Sequence, residues 1–425
     1  MADKKKCISC GSQPDDECRI KGADHKIKCW DCGAEITDQY ADTCGKCGGL
    51  LTIEIDLGPL KKKDPVDFQN RPINVWKYRE FLPADPLRAV TIKEGGTPLY
   101  KCDALGKEIG IGDIWVKYEG ANPTGSFKDR GMTVGVTHAV EIGAKMVGCA
   151  STGNTSASLA AYAAKAGLKC AVFLPSGKVA AGKLAQAMFF GSKVVSIDGN
   201  FDDALRLARD LARERYLYLL NSINPYRPEG QKTVLFEIMD QLEYDVPDRI
   251  VLPVGNAGNI SAVHKALKEL KKIGWIGKVP KLTGIQAEGS MPIVSAFKDK
   301  KKDFVPENSP ETVATAIRIG NPVSGRKALA AIYDTKGYAT SVTDQEILAA
   351  QRLLGMREGI GVEPASAASV AGVRKLLKEG IIDKDERVVC ICTGNALKDP
   401  DTIISYCEPP VKAPNDLSAV KKILG

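Results

Sequence analysis

The 425-residue sequence predicts an α/β protein carrying a small cysteine-rich module at its N-terminus, on three observations. Continuously apolar, β-rich runs recur at 114–118, 146–150, 170–174, 194–197, 250–254, 282–285 and 388–392. Between them lie amphipathic segments of helical period at 156–166, 201–216, 229–242, 260–273, 344–358 and 366–379. Strands without polar alternation are buried on both faces, so their alternation with helices indicates parallel sheet covered on each side. The strands are numerous enough for two sheets. The third observation is that seven of the thirteen cysteines fall within the first 47 residues.

Taken in chain order, residues 1–50 are rich in Cys and Gly and lack apolar periodicity. Cys29, Cys32, Cys44 and Cys47 form a CxxC-x11-CxxC pattern. Two such knuckles can fix four thiolates tetrahedrally around a structural zinc ion. A third pair, Cys7 and Cys10, together with Cys18, leaves the ligand set open. Metal-free reduced knuckles and redox chemistry are the alternatives. Residues 51–95 read as an irregular arm, because Pro59, Pro65, Pro72, Pro83 and Pro86 interrupt any long helix. The remaining six cysteines are dispersed in a long body, unlike a secreted disulfide scaffold.

The formal charge is +7, yet the lysine clusters at 61–63, 271–272 and 300–302 lie far apart and read as solvated surface. Residues 1–50 hold eight Lys/Arg against nine Asp/Glu, so the cysteine module is not expected to bind nucleic acid either. The longest uncharged stretch, 146–164, is full of Ser, Thr, Asn and Gly, which argues against a membrane span. With no secretory signal visible, the protein is expected to be cytoplasmic. His25, His138 and His264 show no metal-ligand spacing.

Four loops carry chemistry. In the segment 117–132, Asn-Pro and Thr-Gly punctuate a loop, and Ser126 is placed to cap the following helix. Lys128 then sits at the positive end of a helix dipole, which favours the neutral amine needed to attack a carbonyl. A surface lysine beside Asp129 is the plainer alternative. Ser151 to Ser158 supply dense hydroxyl and amide donors for an oxyanion. Gly255, Asn256, Ala257, Gly258 and Asn259 follow an apolar strand and open a helix, as a phosphate-cradling loop does, without a Walker ending. The fourth loop begins at Thr393.

Together these segments read NPTGSFKDRGM (122–132), STGNTSAS (151–158), NSINPYRPEGQKT (221–233), PVGNAGN (253–259), IRIGNPVS (317–324) and EPASAAS (363–369). On these motifs, residues 92–405 resemble the threonine synthases, fold-type II enzymes that use pyridoxal phosphate (PLP). The resemblance implies two open twisted sheets flanked by helices with the cofactor between them. It implies an N-terminal arm and start of the large domain at 51–129, a nested small domain at 130–225, a large domain at 226–407 and a tail at 408–425. A homodimer acting on a small amino-acid substrate is implied as well.

Lys128 would hold PLP as a Schiff base and serve as the acid–base group. Asn154 would bond the phenolic oxygen, residues 255–259 the cofactor phosphate, and Thr393 the pyridine nitrogen. Thr155 and Ser156 would take the substrate carboxylate; Asn221, Ser222 and Arg227 would take the substrate phosphate. The implied reaction converts O-phospho-L-homoserine and water to L-threonine and phosphate. Within the fold the alternatives are a threonine or serine dehydratase, or a β-replacement synthase making cysteine or cysteate. Outside it, the alternative is a catalytically silent binding protein. Two positions depart from the family pattern: Asn395 and Ala396 replace its usual His-Gly, and Gly325 replaces an aromatic. Both are expected in the wall of the active site.

Overall fold

The computed structural model describes residues 22–176 and 181–424. Its strands in chain order are β1 (His25–Cys29), β2 (Glu35–Ile36), β3 (Leu51–Ile55), β4 (Leu99–Lys101), β5 (Asp113–Tyr118), β6 (Met146–Ala150) and β7 (Lys169–Pro175). They continue as β8 (Lys193–Ile197), β9 (Tyr218–Leu219), β10 (Arg249–Pro253), β11 (Lys281–Ala287), β12 (Tyr338–Val342) and β13 (Arg387–Cys392). Among the described residues these build three sheets. A six-stranded sheet has the order β12-β11-β10-β13-β5-β4, a four-stranded sheet the order β8-β7-β6-β9, and the N-terminal module the order β2-β1-β3.

The α/β fold expected from the alternation of strands and helices is the one observed. The four-stranded sheet is parallel throughout, and the six-stranded sheet is parallel except at its edge, where β4 runs antiparallel to β5. All five residues of β10 are buried, as a central parallel strand requires. The expected helix at 229–242 is two helices, Tyr226–Gln231 and Thr233–Gln241. At their junction the Thr233 hydroxyl donates to the Gly230 carbonyl (2.7 Å), a side-chain bond that competes with the backbone ladder.

The arm is irregular, as its prolines dictate, but it is part of the core. Short 3-10 turns open on Pro59, Pro65 and Pro86. Trp76, Tyr78 and Phe81 are almost fully buried, and the Phe81 ring lies 4.6 Å from Phe236 and 5.5 Å from Trp275. The three-stranded sheet runs past residue 50, since β3 pairs along all of β1. Its apolar residues Ile27, Leu51, Ile53 and Ile55 belong to one hydrophobic cluster with Phe236 and Leu252 of the body. Polar contacts fasten the module at several points. Arg209 pairs with Asp42 (2.9 Å), Arg326 with Asp31 (2.5 Å), the Tyr226 hydroxyl donates to Gln39 (2.9 Å), and Lys265 donates to the Ile53 carbonyl (2.5 Å).

Candidate active site and metal centre

Parallel sheets bind ligands beyond the carboxyl ends of their strands. Here the loops after β5, β6, β9, β10 and β13 converge on a cavity of about 570 Å³, a volume suited to a cofactor and a small substrate. Lys128, Asn154, Thr155, Asn221, Ser222, Arg227, residues 255–259 and Thr393 all line it.

The lysine loop owes its shape to its two charged neighbours. Asp129 turns back to accept from the Thr124 amide (2.7 Å) and hydroxyl (2.6 Å), and takes the Ser158 hydroxyl at 2.6 Å. Arg130 is fully buried and grips Glu119 (2.6 and 2.7 Å) and Glu237 (2.7 and 2.7 Å), each through two nitrogens. With its neighbours so committed, Lys128 is left facing the cavity at the start of helix Lys128–Glu141. Its amine lies 4.2 Å from the Phe127 ring centroid. Burial, then the nearby Arg227 guanidinium, lower its pKa to about 7, opposed by a weaker pull from Glu363 when that carboxyl is ionised. Lys128 is therefore no surface ion pair with Asp129. Ser126 does not cap the helix: Phe127 occupies that position without a side-chain bond, and the buried Ser126 hydroxyl has no partner. The backbone does that work instead, with the Phe127 amide bonded to the Thr393 carbonyl (3.0 Å) and the Asn395 amide to the Gly125 carbonyl (2.9 Å).

Helix Asn154–Ala166 begins right after the 151–153 loop with no side-chain cap, so its first amides open toward the cavity. The Asn154 amide nitrogen lies 3.1 and 3.2 Å from the two Glu363 oxygens. Thr155 faces the cavity, whereas the Ser156 hydroxyl donates to the Gly153 carbonyl (2.8 Å). Asn221 uses both ends of its side chain on the Ala150 backbone (2.9 and 2.9 Å), clamping the end of β6. Arg227 is 2 % exposed, its Nε has no partner, and no carboxylate among the described residues pairs with it. Glu229 is taken by Lys232 and Lys265, and Asp203 by Arg206. Burial lowers the Arg227 pKa to about 10, which leaves it charged at neutral pH.

In the 255–259 loop, Ala257 takes a left-handed backbone (φ 64°), turning the chain into helix Gly258–Ile273. A Cβ on Gly255 would lie 3.0 Å from Ile317 Cα and 3.1 Å from the Ala316 carbonyl oxygen, so glycine permits that close cover. Asn259 is buried with neither side-chain amide atom bonded, a cost relieved by a polar ligand. Thr393 Oγ1 lies 3.0 Å from Ser366 Oγ, which accepts from the Gly394 amide at 2.8 Å. These features fit a phosphate and a polar heterocycle.

The two departures lie elsewhere than expected. Asn395 donates to the Tyr118 hydroxyl (2.8 Å) and accepts from the Leu397 amide (2.8 Å); Ala396 abuts Gly361. A Cβ on Gly325 would lie 2.3 Å from the Phe304 ring, so that ring already fills the space beside it. None of the three lines the cavity, while Leu397 and Lys398 do. Also lining it, without an expected role, are Gln186, Gln231, Glu363 and residues 315–319. Glu363 opens the segment EPASAAS, but a carboxylate before Pro gives no sign of what it faces.

The Sγ atoms of Cys29, Cys32, Cys44 and Cys47 all lie within 4.8 Å of one another. Cys29–Cys47 is 3.4 Å and Cys32–Cys44 is 3.8 Å. A tetrahedron with arms of about 2.3 Å has edges of roughly 3.8 Å, so the set matches zinc–thiolate geometry. The backbone amides of Cys47 and then Lys46 draw the Cys44 thiol down to about 7, while the crowding of neighbouring thiols pushes Cys47 up, so without a cation the four do not all ionise together. Cys7 and Cys10 lie outside the described residues.

A family model described as "Pyridoxal-phosphate dependent enzyme" matches residues 90–394. The chain is 59% identical over 400 residues to a threonine synthase of Methanocaldococcus jannaschii, covering 93% of this chain and 98% of that one. It is 58% identical over 408 residues to a threonine synthase of Methanosarcina acetivorans, covering 94% and 98%. Among solved structures it resembles maize serine racemase, with TM-score 0.62 at 21% identity over 73% of this chain and 91% of that one. It also resembles threonine deaminase isoform 2 of Solanum lycopersicum, with TM-score 0.60 at 21% identity over 77% and 86%. These last two are likenesses of fold.

Proposed function

We propose, since the chain belongs to the pyridoxal-phosphate-dependent enzymes and within them to the threonine synthases, that this cavity converts O-phospho-L-homoserine and water to L-threonine and phosphate. The observation that carries the phosphorylated substrate is Arg227, a buried guanidinium without a carboxylate partner, facing the same cavity as Lys128.

PLP, when bound, supplies the electron sink that lets hydrogens leave Cα and Cβ. The residues that would hold it are Lys128, Asn154, Thr393 and the 255–259 loop, whose unbonded Asn259 amide and open helix N-terminus suit a phosphate. A hydroxyl at Thr393, in place of a carboxylate, would keep the cofactor ring closer to neutral.

The chain's own groups divide the remaining work. Burial and Arg227 lower the Lys128 pKa to about 7, so that a substantial share is the neutral amine at neutral pH. Lys128 would take protons from Cα and Cβ and return one to Cγ as phosphate leaves and one to Cα after water adds its hydroxyl at Cβ, the remaining water proton leaving with the phosphate. The amides at Asn154 and Thr155 bind the substrate carboxylate. Arg227 and Ser222 bind the phosphate and stabilise the charge it carries away. Cys29, Cys32, Cys44 and Cys47 hold one structural zinc ion in the module.

Replacing Lys128 with Ala should remove the visible absorbance of the purified protein and essentially all turnover. The wild type should turn over phosphohomoserine in preference to phosphoserine, serine and threonine. Normal turnover in the Lys128→Ala protein, or a preference for serine or threonine, would overturn this reading.

A further inference from the structure

Glu363 immediately precedes helix Pro364–Lys378, 5 % exposed, and lines the cavity beside Asn154. Other buried carboxylates here are richly satisfied. Glu237 accepts from Arg130, Lys117 and the Gly96 amide; Glu119 from Arg130, Thr97 and Asn122; Asp129 from Thr124 and Ser158. Glu363 receives one amide nitrogen, that of Asn154, shared between both oxygens at 3.1 and 3.2 Å. No Lys, Arg or His among the described residues lies within ion-pair distance of it. A buried carboxylate with so few donors is costly, and the usual resolution is to take up a proton.

We infer that Glu363 is protonated in the working protein and, with Asn154, presents a neutral pair of donors to an oxygen anion in the cavity. On the reading above that anion is the phenolic oxygen of PLP, on which this inference rests. The Glu363 carbonyl oxygen accepts from Asn154 and fixes which way that amide points. Its hydroxyl has no protein acceptor and is left for the ligand. Glu363 is thus a positioning residue for Asn154 and a second donor beside it.

The surrounding charges are compatible with this state. Burial raises the pKa of Glu363 and Asp399 adds to the rise; the Asn154 amide, Lys398 and Lys128 oppose it. Keeping the carboxyl neutral avoids setting a second negative charge against the oxygen anion.

The decisive measurement is infrared difference spectroscopy of the full chain, wild type minus Glu363→Gln, at pH 7 with and without PLP. The expected result is the carbonyl stretch of a protonated carboxylic acid, shifting in heavy water. A carboxylate stretch instead would overturn the inference. Affinity for PLP gives an independent readout. Glu363→Ala should weaken it on the order of tenfold or more, the size of a lost bond to a charged group, and Glu363→Gln should restore most of that loss. Equal losses in both variants would overturn the donor role. If the wild type bound no PLP, the functional reading would fail while the infrared band still reported the proton.

Discussion

At the scale of single residues, Arg227 shows how a burial cost becomes a specificity device. An isolated buried charge is unfavourable, and Glu229 and Asp203 are paired with other cations, so the guanidinium is held in readiness for an anion. Arg227→Ala should lose a charge-assisted contact of about 1.5–3 kcal/mol, roughly ten- to a hundredfold in kcat/KM for phosphohomoserine. The PLP spectrum should be unchanged, and Arg227→Lys should rescue poorly because the planar fork is lost. Steady-state kinetics check this; an unchanged kcat/KM would assign the phosphate to another group. That Lys128, Thr155, Arg227 and Thr393 line one cavity was legible through the resemblance carried by the six motifs taken together, since no single loop declares it. Ser156 and Asn221 looked equivalent to them, yet both hydrogen-bond to nearby backbone. Nothing local separates a donor turned inward from one turned outward. Glu363 was illegible for the opposite reason, since its distinguishing property is a scarcity of partners that only the folded chain defines.

Among elements, the contact that sets the site is between helices Lys128–Glu141 and Tyr226–Gln231, which bring Lys128 and Arg227 together. Their backbones nearly touch: a Cβ on Gly230 would fall 1.7 Å from the Arg130 carbonyl oxygen and 3.1 Å from Gly131 Cα. Gly230→Ala should therefore push the helices apart. The expected cost is about 1–3 kcal/mol or more, seen as a lower Tm, with weaker PLP binding and reduced turnover measured together. Unaltered Tm and activity would mean that the helices separate without consequence. The apolar run at 146–150 became β6 with the same bounds, and four of the other six became strands longer by one or two residues. The run 282–285 gained one residue at its start and two at its end, and 250–254 became a strand shifted by one residue toward the N-terminus. The strand β12 escaped notice because Tyr-Ala-Thr-Ser-Val offers no continuous apolar run, although four of its five residues are buried. The arm escaped as core because aromatic burial without periodicity leaves no pattern.

For the whole molecule, the cysteine module is fused to the body by a shared hydrophobic cluster, though composition set it apart as an appendage. Cys29 and Cys44 are themselves buried in that cluster, so the metal site and the core are contiguous. Chelation should therefore lower the Tm of the entire protein, and metal analysis of protein purified without chelators should find about one zinc per chain. Calorimetry before and after chelation checks the first; an unchanged Tm in protein stripped of a measured zinc would show that the thiols alone hold the module.

The module's attachments also have a mechanical consequence. Asp42 grips Arg209, on the helix Phe201–Arg213 that covers the four-stranded sheet, while Asp31 and Ile53 grip Arg326 and Lys265 on helices of the six-stranded side. One small unit thus spans both lobes like a splint across a joint. Any rocking that widens the cleft for phosphate to depart must turn about this splint or stretch it. The Arg209–Asp42 ion pair, partly open to solvent, is then a point where ionic strength sets the stiffness of the joint.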